Sequence, residues 1–239
     1  MLISSSMLHA LDGIAARVRD AMQAFTPGAV PERSDVSQPP SASFALDPLS
    51  ATPPQDAYFI TSDERGRLLF TRDGSFAVQN GAIVDASGHP VLGFTGGSST
   101  LSALRADAVD TALGYAADVR IETDGFVTYE RATLDPRTRR RDVQRAAIGR
   151  IALARFAPGT KLQHIDPQHA AAPAGIAPHI GCPGDGSFGA IAPFTRASSG
   201  IDLDLGLQRL QEAYLALDAI RAADKAQHSV EKTAMDLLK

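Results

Sequence analysis

The chain contains no tryptophan and a single cysteine, Cys182, and aromatic residues make up only 6% of its 239 positions. One cysteine excludes an intrachain disulfide, so packing and hydrogen bonds have to hold the fold together. No stretch approaches the roughly 18 consecutive apolar residues of a membrane-spanning helix, which predicts a protein without membrane insertion. The formal net charge of -4 argues against nucleic acid as a partner, because phosphate binding selects for basic patches.

Both ends of the chain show the three- and four-residue spacing of apolar side chains that predicts amphipathic helices. The first helix is predicted within residues 1–25, where Thr26-Pro27-Gly28 ends the pattern. The second is predicted for residues 201–239, where heptad spacing runs from Leu203 to Leu217. Ile220 follows after a three-residue offset that indicates a stammer or a kink. Such helices can form a coiled coil or pack on the protein's own core, and the spacing leaves both open.

The middle of the chain has the signals of short β-strands. Residues 26–56 are rich in proline and serine without periodicity, which predicts a linker. In residues 57–200, short apolar runs alternate with turn pairs such as Asp73-Gly74 and Asn80-Gly81, which favour type I′ hairpins. Within residues 58–94 this pattern predicts a meander of four or five antiparallel strands with no charge placed for chemistry. The predicted fold is mainly β, with an antiparallel middle domain framed by the two terminal helices.

The same β-rich stretch carries a resemblance to a known family. The residues that carry it are Tyr58-Phe59, Phe70-Thr71-Arg72-Asp73-Gly74-Ser75-Phe76, Gly81-Ala82-Ile83-Val84 and Gly88-His89-Pro90-Val91-Leu92-Gly93. In sequence and spacing they resemble the flagellar basal-body rod and hook protein family of bacteria. The chain departs from the family pattern in residues 26–56, which lack the usual Ala-Asn-Asn-Leu-Ala-Asn motif, and at Leu217, which stands in place of an asparagine.

The resemblance implies a structural subunit of the flagellar rod or hook, with no catalytic residue, metal or cofactor. It implies export through the flagellar type III apparatus without cleavage, a location at the basal body, and other rod and hook subunits as partners. Assembly would use the terminal helices. The side chains expected at the assembly interface are Leu8, Leu11, Ile14, Val18, Leu207, Leu210, Tyr214, Leu217 and Ile220.

Two other classes of function stay open from the sequence. The missing N-terminal motif is compatible with a binding module that keeps the β scaffold and does not polymerise. A hydrolase or metal enzyme would have to use residues 157–192, whose candidate ligands are His164, Asp166, His169, His179 and Cys182. His179 and Cys182 have the close spacing of a zinc-ligand pair such as Cys-x2-Cys, but a second pair that would complete a standard zinc signature is missing. We therefore expect loop residues there and no metal.

Overall fold

A computed structural model of the chain describes residues 5–29, 31, 41–105, 116–134, 137 and 141–237. The chain divides into two compact units. The helical unit combines the two ends of the chain and contains α1 (Ser5–Gln23) and α2 (Leu203–Leu237). The β unit consists of residues 26–29 and 40–199 and contains every strand found in the described residues. This confirms the prediction of a mainly-β fold with an N-terminal and a C-terminal helix.

The strands of the β unit are short and pair antiparallel throughout the described residues. In chain order they are β1 (Ala42–Phe44), β2 (Ala51–Thr52), β3 (Tyr58–Ser62), β4 (Leu68–Thr71), β5 (Ala77–Gln79), β6 (Ala82–Val84), β7 (Leu92–Phe94), β8 (Leu101–Ala103), β9 (Ala116–Ile121), β10 (Phe126–Leu134), β11 (Arg141–Ile151), β12 (Leu153–Arg155), β13 (Gln163–His164), β14 (His169–Ala171), β15 (His179–Gly181), β16 (Ala192–Pro193) and β17 (Thr195–Ala197).

Two larger sheets and three strand pairs organise these elements. The six-stranded sheet has the order β13-β14-β4-β3-β12-β15, and the five-stranded sheet has the order β8-β7-β11-β10-β9. The remaining pairs are β1 with β17, β16 with β2, and β5 with β6. β11 and β12 are separated only by Ala152, so the chain passes directly from one sheet to the other at this residue.

The predicted meander consists of five strands, β3 to β7, but they do not form one sheet. β3 and β4 make a hairpin in the six-stranded sheet, and β5 and β6 make a separate hairpin. Asn80 and Gly81 connect β5 and β6 with φ of 49° and 78°, as a type I′ turn requires. β7 pairs instead with β8 and with β11. Local turn signals therefore predict the strands, whereas one of the two partners of β7, the strand β11, comes from a distant part of the chain.

The segment predicted as a linker, residues 26–56, contributes to the β unit in its second half. β1 and β2 lie within it, and Leu49, Ser50 and Ala51 are buried. Each of these strands pairs with a partner near the end of the unit, β1 with β17 and β2 with β16. Because β1 and β2 pair with strands that lie far along the chain, no local periodicity marks them in the sequence. Residues 30 and 32–40 lie outside the described part of the chain.

The β unit is built around two clusters of buried apolar side chains. The larger contains Phe59, Phe76 and Ile151, and the rings of Phe59 and Phe76 meet edge to face with centroids 5.0 Å apart. The smaller contains Ile60 and Phe70. Phe59 and Ile60 are neighbours on β3, so alternate side chains of one strand enter the two clusters, as the pleat of a strand requires.

In the helical unit, α1 and α2 pack against each other. α2 extends without interruption over Leu203–Leu237. Among the less exposed positions of α2, Gly206, Leu210, Ala213, Leu217 and Ile220 follow one another at steps of four, three, four and three. Ile220 therefore continues this face without an offset. The apparent offset arose because the heptad pattern joined side chains from two faces of the helix. In the described residues, no helix combines the length and apolar character needed to cross a bilayer.

Candidate functional site

The structure places the predicted assembly residues on more than one face of the helices. Ile14 and Leu217 are buried, with 7% and 2% of their surfaces exposed. The half-buried positions are Val18, Leu210 and Ile220, and the exposed ones are Leu8, Leu11, Leu207 and Tyr214. One face of each helix is thus covered, while other apolar side chains of the predicted set stay accessible. Their role in assembly stays a prediction.

α1 carries a second apolar stripe next to its buried face. The buried face follows Met7, Ala10 and Ile14. The second stripe, called the outer stripe here, consists of Leu8, Leu11, Ala15, Val18, Met22 and Phe25, at alternating steps of three and four. Met22 is 77% exposed, and Phe25, just beyond the end of α1, is 83% exposed. A helix with apolar side chains on two faces has more apolar surface than one neighbouring helix can cover.

The Thr71-to-Phe76 motif acts as scaffold, as the resemblance implies. The guanidinium of Arg72 is buried and donates hydrogen bonds to the backbone carbonyls of Gln55 and Ala57. Gly74 has no positive φ, so the predicted type I′ turn at Asp73-Gly74 is wrong. Glycine is required there because a Cβ would lie 1.9 Å from the carbonyl oxygen of Ala51. The motif therefore fastens residues 51–57 to the end of β4 in the six-stranded sheet.

A partly buried cluster of two imidazoles and two carboxylates lies within the β unit. His169, at the start of β14, is 2% exposed, and its Nε2 lies 2.8 Å from Oδ2 of Asp85. Its Nδ1 lies 2.8 Å from Oδ1 of Asp166. The ring of His89 stands perpendicular to that of His169, at 89° and with 4.9 Å between centroids. We call these four residues the histidine cluster.

Two tight turns position the carboxylates of the histidine cluster. Oδ1 of Asp85 accepts hydrogen bonds from the backbone N–H groups of Ser87 and His89, both at 2.9 Å. Oδ1 of Asp166 likewise accepts from the backbone N–H groups of Gln168 and His169. Such Asx turns are local, and each fixes one carboxylate oxygen. The other oxygen of Asp85, Oδ2, is left to face both imidazoles.

The histidine cluster shifts the pKa values of its members. Burial alone would lower the pKa of His169, but its hydrogen bonds to Asp166 and Asp85 outweigh burial and raise the pKa from 6.5 to about 9. Burial would raise the pKa of Asp85, and the hydrogen bonds from His169 and from the backbone of His89 hold it below its ordinary value instead. In the absence of another cation, His169 is therefore a protonated imidazolium between two carboxylates at neutral pH.

The structure separates the metal-ligand candidates that the sequence analysis grouped together. Asp166 and His169 belong to the histidine cluster. His164 is exposed on β13, and His179 stacks on Phe188 with ring centroids 5.4 Å apart. Burial raises the pKa of the Cys182 thiol, which disfavours the thiolate that a metal or a nucleophilic step requires. Most of the arginine run at 137–141 lies outside the described residues.

The sequence analysis missed two members of the histidine cluster. Asp85 and His89 lie in the turn that follows β6, inside the stretch that was predicted to have no charge placed for chemistry. The structure places both residues beside His169, a grouping that the sequence analysis did not predict. The available signal was the Asp-x3-His spacing, which is a close pair of ligand types. The second pair comes from residues 166 and 169, and only the pairing of β14 with β4 joins the two halves.

Residues 55–129 match the family model of the flagellar hook protein FlgE/F/G D1 domain. The matched segment begins just before β3 and ends within β10, and it includes Arg72, Gly74, Asp85 and His89. It does not include α1, α2 or His169. The comparison with curated proteins found no match to the chain.

Proposed function

We propose that the chain is a structural subunit of the bacterial flagellar rod or hook that assembles through its terminal helices, and the match of residues 55–129 to the flagellar hook protein D1 domain supports this proposal. Its partners are further copies of itself and other rod and hook subunits. It reaches the basal body by type III export and performs no catalysis. Scaffold residues such as Arg72 and Gly74 hold the β unit in shape, and the helices supply the contacts.

The observation that carries this proposal is the exposed outer stripe of α1. Leu8 is 50% exposed, Met22 77% and Phe25 83%. On α2, Leu207 and Tyr214 are each 49% exposed. Apolar side chains in this arrangement are the seam by which helices of neighbouring subunits pack.

The free energy gained by burying these apolar side chains indicates how assembly would proceed. Full burial of one large apolar side chain contributes about 1.5–3 kcal/mol, so four of them contribute on the order of 6–12 kcal/mol. Association of two molecules costs an estimated 4–15 kcal/mol in lost translation and rotation. These magnitudes are similar, so a single helix contact gives weak association. A subunit that adds to a growing end and buries both helices at once gains enough to stay bound.

The proposal is tested by light scattering on the full chain over a range of concentrations. We expect weak, concentration-dependent association that disappears when residues 201–239 are deleted. Leu8→Glu places a charge on the outer stripe and should abolish association, because an ionised carboxylate cannot be buried there without a partner. Tyr214→Glu should do the same on α2.

Matched control variants distinguish a lost interface from a general effect of charge. His9→Glu and Ala216→Glu add the same charge to exposed positions on the opposite sides of the two helices. Both controls should associate like the unmodified chain. Equal loss of association in the controls and in the stripe variants would contradict assembly through these faces.

A non-polymerising binding module is the alternative, and the lack of the Ala-Asn-Asn-Leu-Ala-Asn motif favours it. If the chain stays monomeric at every concentration, it is mixed with purified rod and hook subunits. Capture that depends on Leu8 and Tyr214 would support a rod subunit that needs a template. A monomer that captures none of these subunits would support the binding module.

A further inference from the structure

Three atoms in the histidine cluster are arranged as ligands around one point. Asp85, His89 and His169 each offer one ligand atom, and these three atoms lie within 4.8 Å of one another. Oδ2 of Asp85 is 2.8 Å from Nε2 of His169 and 3.4 Å from Nδ1 of His89. Around an ion with bond lengths of about 2.0–2.1 Å, tetrahedral ligand atoms lie about 3.3 Å apart. The two oxygen–nitrogen distances lie on either side of that separation, so small rotations of the side chains bring them to it.

His89 provides an observation that the fold does not explain. Its Nδ1 is shielded from solvent and has no hydrogen-bond partner. A buried polar atom without a partner costs free energy, so such atoms are rare in proteins. This nitrogen points to the same carboxylate oxygen that His169 contacts. A metal ion between this nitrogen and the carboxylate oxygen would be coordinated by Nδ1 of His89.

Asp166 has the position of a residue that orients a metal-binding histidine. Its carboxylate accepts the Nδ1–H of His169 at 2.8 Å, which leaves Nε2 directed at Asp85. Histidine ligands commonly donate their second ring N–H to a carboxylate, which fixes the ring and increases its basicity. The side chain of His89 is 24% exposed, whereas those of Asp85 and His169 are 3% and 2% exposed. His89 therefore marks the side from which an ion and a water ligand can enter.

We propose that Asp85, His89 and His169 bind a divalent first-row transition metal, zinc being the best fit, with Asp166 as the positioning residue. Two imidazoles and one carboxylate suit zinc and related ions, whereas magnesium and calcium prefer oxygen ligands alone. The metal takes the place of the proton on Nε2 of His169, which leaves to solvent. The site joins the turn after β6 to β14 and strengthens the β unit.

The first experiment measures metal binding by the full chain without a histidine tag. The protein is stripped with a chelator, incubated with Zn²⁺, desalted and analysed for zinc. We expect about one zinc per chain, and a thermal midpoint raised by several degrees at about 100 times the dissociation constant. Mg²⁺ at the same concentration should leave the midpoint unchanged.

Two variants and one control locate the site. His89→Gln removes a ligand that makes no hydrogen bond through Nδ1, so the fold should persist while zinc is no longer retained. Asp166→Asn should weaken zinc binding about 10- to 100-fold. His164→Gln removes an exposed imidazole outside the cluster and should bind zinc like the unmodified chain. Circular dichroism checks that each variant is folded.

Co²⁺ titration of the unmodified chain tests the ligand set without any substitution. We expect visible absorption bands that saturate at one Co²⁺ per chain, and bands of different position in Asp166→Asn. Absence of saturable Co²⁺ absorption together with no retained zinc overturns the proposal. Equal zinc retention by folded His89→Gln and the unmodified chain overturns it as well, because binding then resides elsewhere.

Discussion

At the scale of single residues, Gly74 shows how close packing can require a glycine without a special backbone angle. A Cβ at this position would lie 1.9 Å from the carbonyl oxygen of Ala51 and 2.8 Å from the ring of Phe59. We expect Gly74→Ala to lower the free energy of unfolding of the β unit by about 3 kcal/mol or more, because backbone has to move to admit the methyl group.

The matched control for this prediction is Gly189→Ala. A Cβ at Gly189 would meet Pro54 at 3.5 Å, an ordinary contact, and the backbone there has no positive φ. Denaturant unfolding followed by fluorescence of the tyrosines or by circular dichroism measures both variants. Equal stability of Gly74→Ala and Gly189→Ala would contradict the close approach.

His169 predicts a pH dependence of stability in protein kept free of metal by chelation. Its pKa is raised from 6.5 to about 9 in the folded state, through Asp166 and Asp85. The folded protein holds the proton on His169 more tightly than the unfolded chain does. This difference contributes its full stabilisation below pH 6.5, and the contribution is lost as pH rises through about 9. The difference between the folded and unfolded pKa corresponds to about 3 kcal/mol in the free energy of unfolding. Denaturant unfolding at intervals across this range should show the loss.

His169→Gln is the control for the pH dependence, because it cannot carry the charge. Its stability should vary much less between pH 6.5 and 9 than that of the unmodified chain. The remaining cluster members, Asp85, Asp166 and His89, are unchanged in it. Parallel profiles for the two proteins would show that the charge of His169 makes no contribution to folding.

These residues also show what the sequence can predict at this scale. The Asp-Gly pair at 73–74 marks a position that needs glycine, but a contact with Ala51 imposes the requirement and no turn angle does. The Asn80-Gly81 turn depends only on its own backbone, and it is predicted correctly. Asp85 and His169 are 84 positions apart in the chain. Their contact depends on strand pairing, which neither spacing nor composition reveals.

At the scale of elements, α2 offers two leucines that differ mainly in burial. Leu217 is 2% exposed and Leu215 is 65% exposed on the same helix. Leu217→Ala should lower the stability of the helical unit by about 2–4 kcal/mol, through lost burial and the cavity left behind. Leu215→Ala should change it by less than about 0.5 kcal/mol. Thermal unfolding followed by circular dichroism at 222 nm compares the two variants. Equal losses of stability would contradict the burial pattern.

Both helices and the strands β3 to β7 were predicted well, because their signals are local. Apolar spacing indicates α1 and α2, and turn residues separate β3 to β7. The faces of α2 were less predictable. Leu207 and Tyr214 share heptad spacing with Leu210 and Leu217, yet the first two are exposed and Leu217 is buried. Spacing alone cannot say which of two adjacent apolar stripes is covered by a neighbour.

At the scale of the whole molecule, the β unit should fold without the helices. Both of its apolar clusters consist of side chains from residues 49–191, so removal of the helical unit leaves them complete. A fragment of residues 40–199 should unfold in one cooperative transition. A fragment of residues 58–199 lacks β1, β2 and the buried Leu49 and Ala51, and it should be markedly less stable. Calorimetry measures both, and equal stability would show that residues 40–57 act only as a linker.

β1 and β17 pair antiparallel, with Ala42 opposite Ala197, and the hydroxyls of Ser41 and Ser198 lie 2.6 Å apart. Residues 40–199 of the β unit therefore begin and end at neighbouring points. Everything between these points can lengthen or shorten without changing the distance between the two ends. Domains whose termini meet in this way can be inserted into or exchanged within a host chain. The segment between Ser41 and Ser198 can thus vary in size in evolution, or be replaced by a reporter domain, while its two ends keep their spacing.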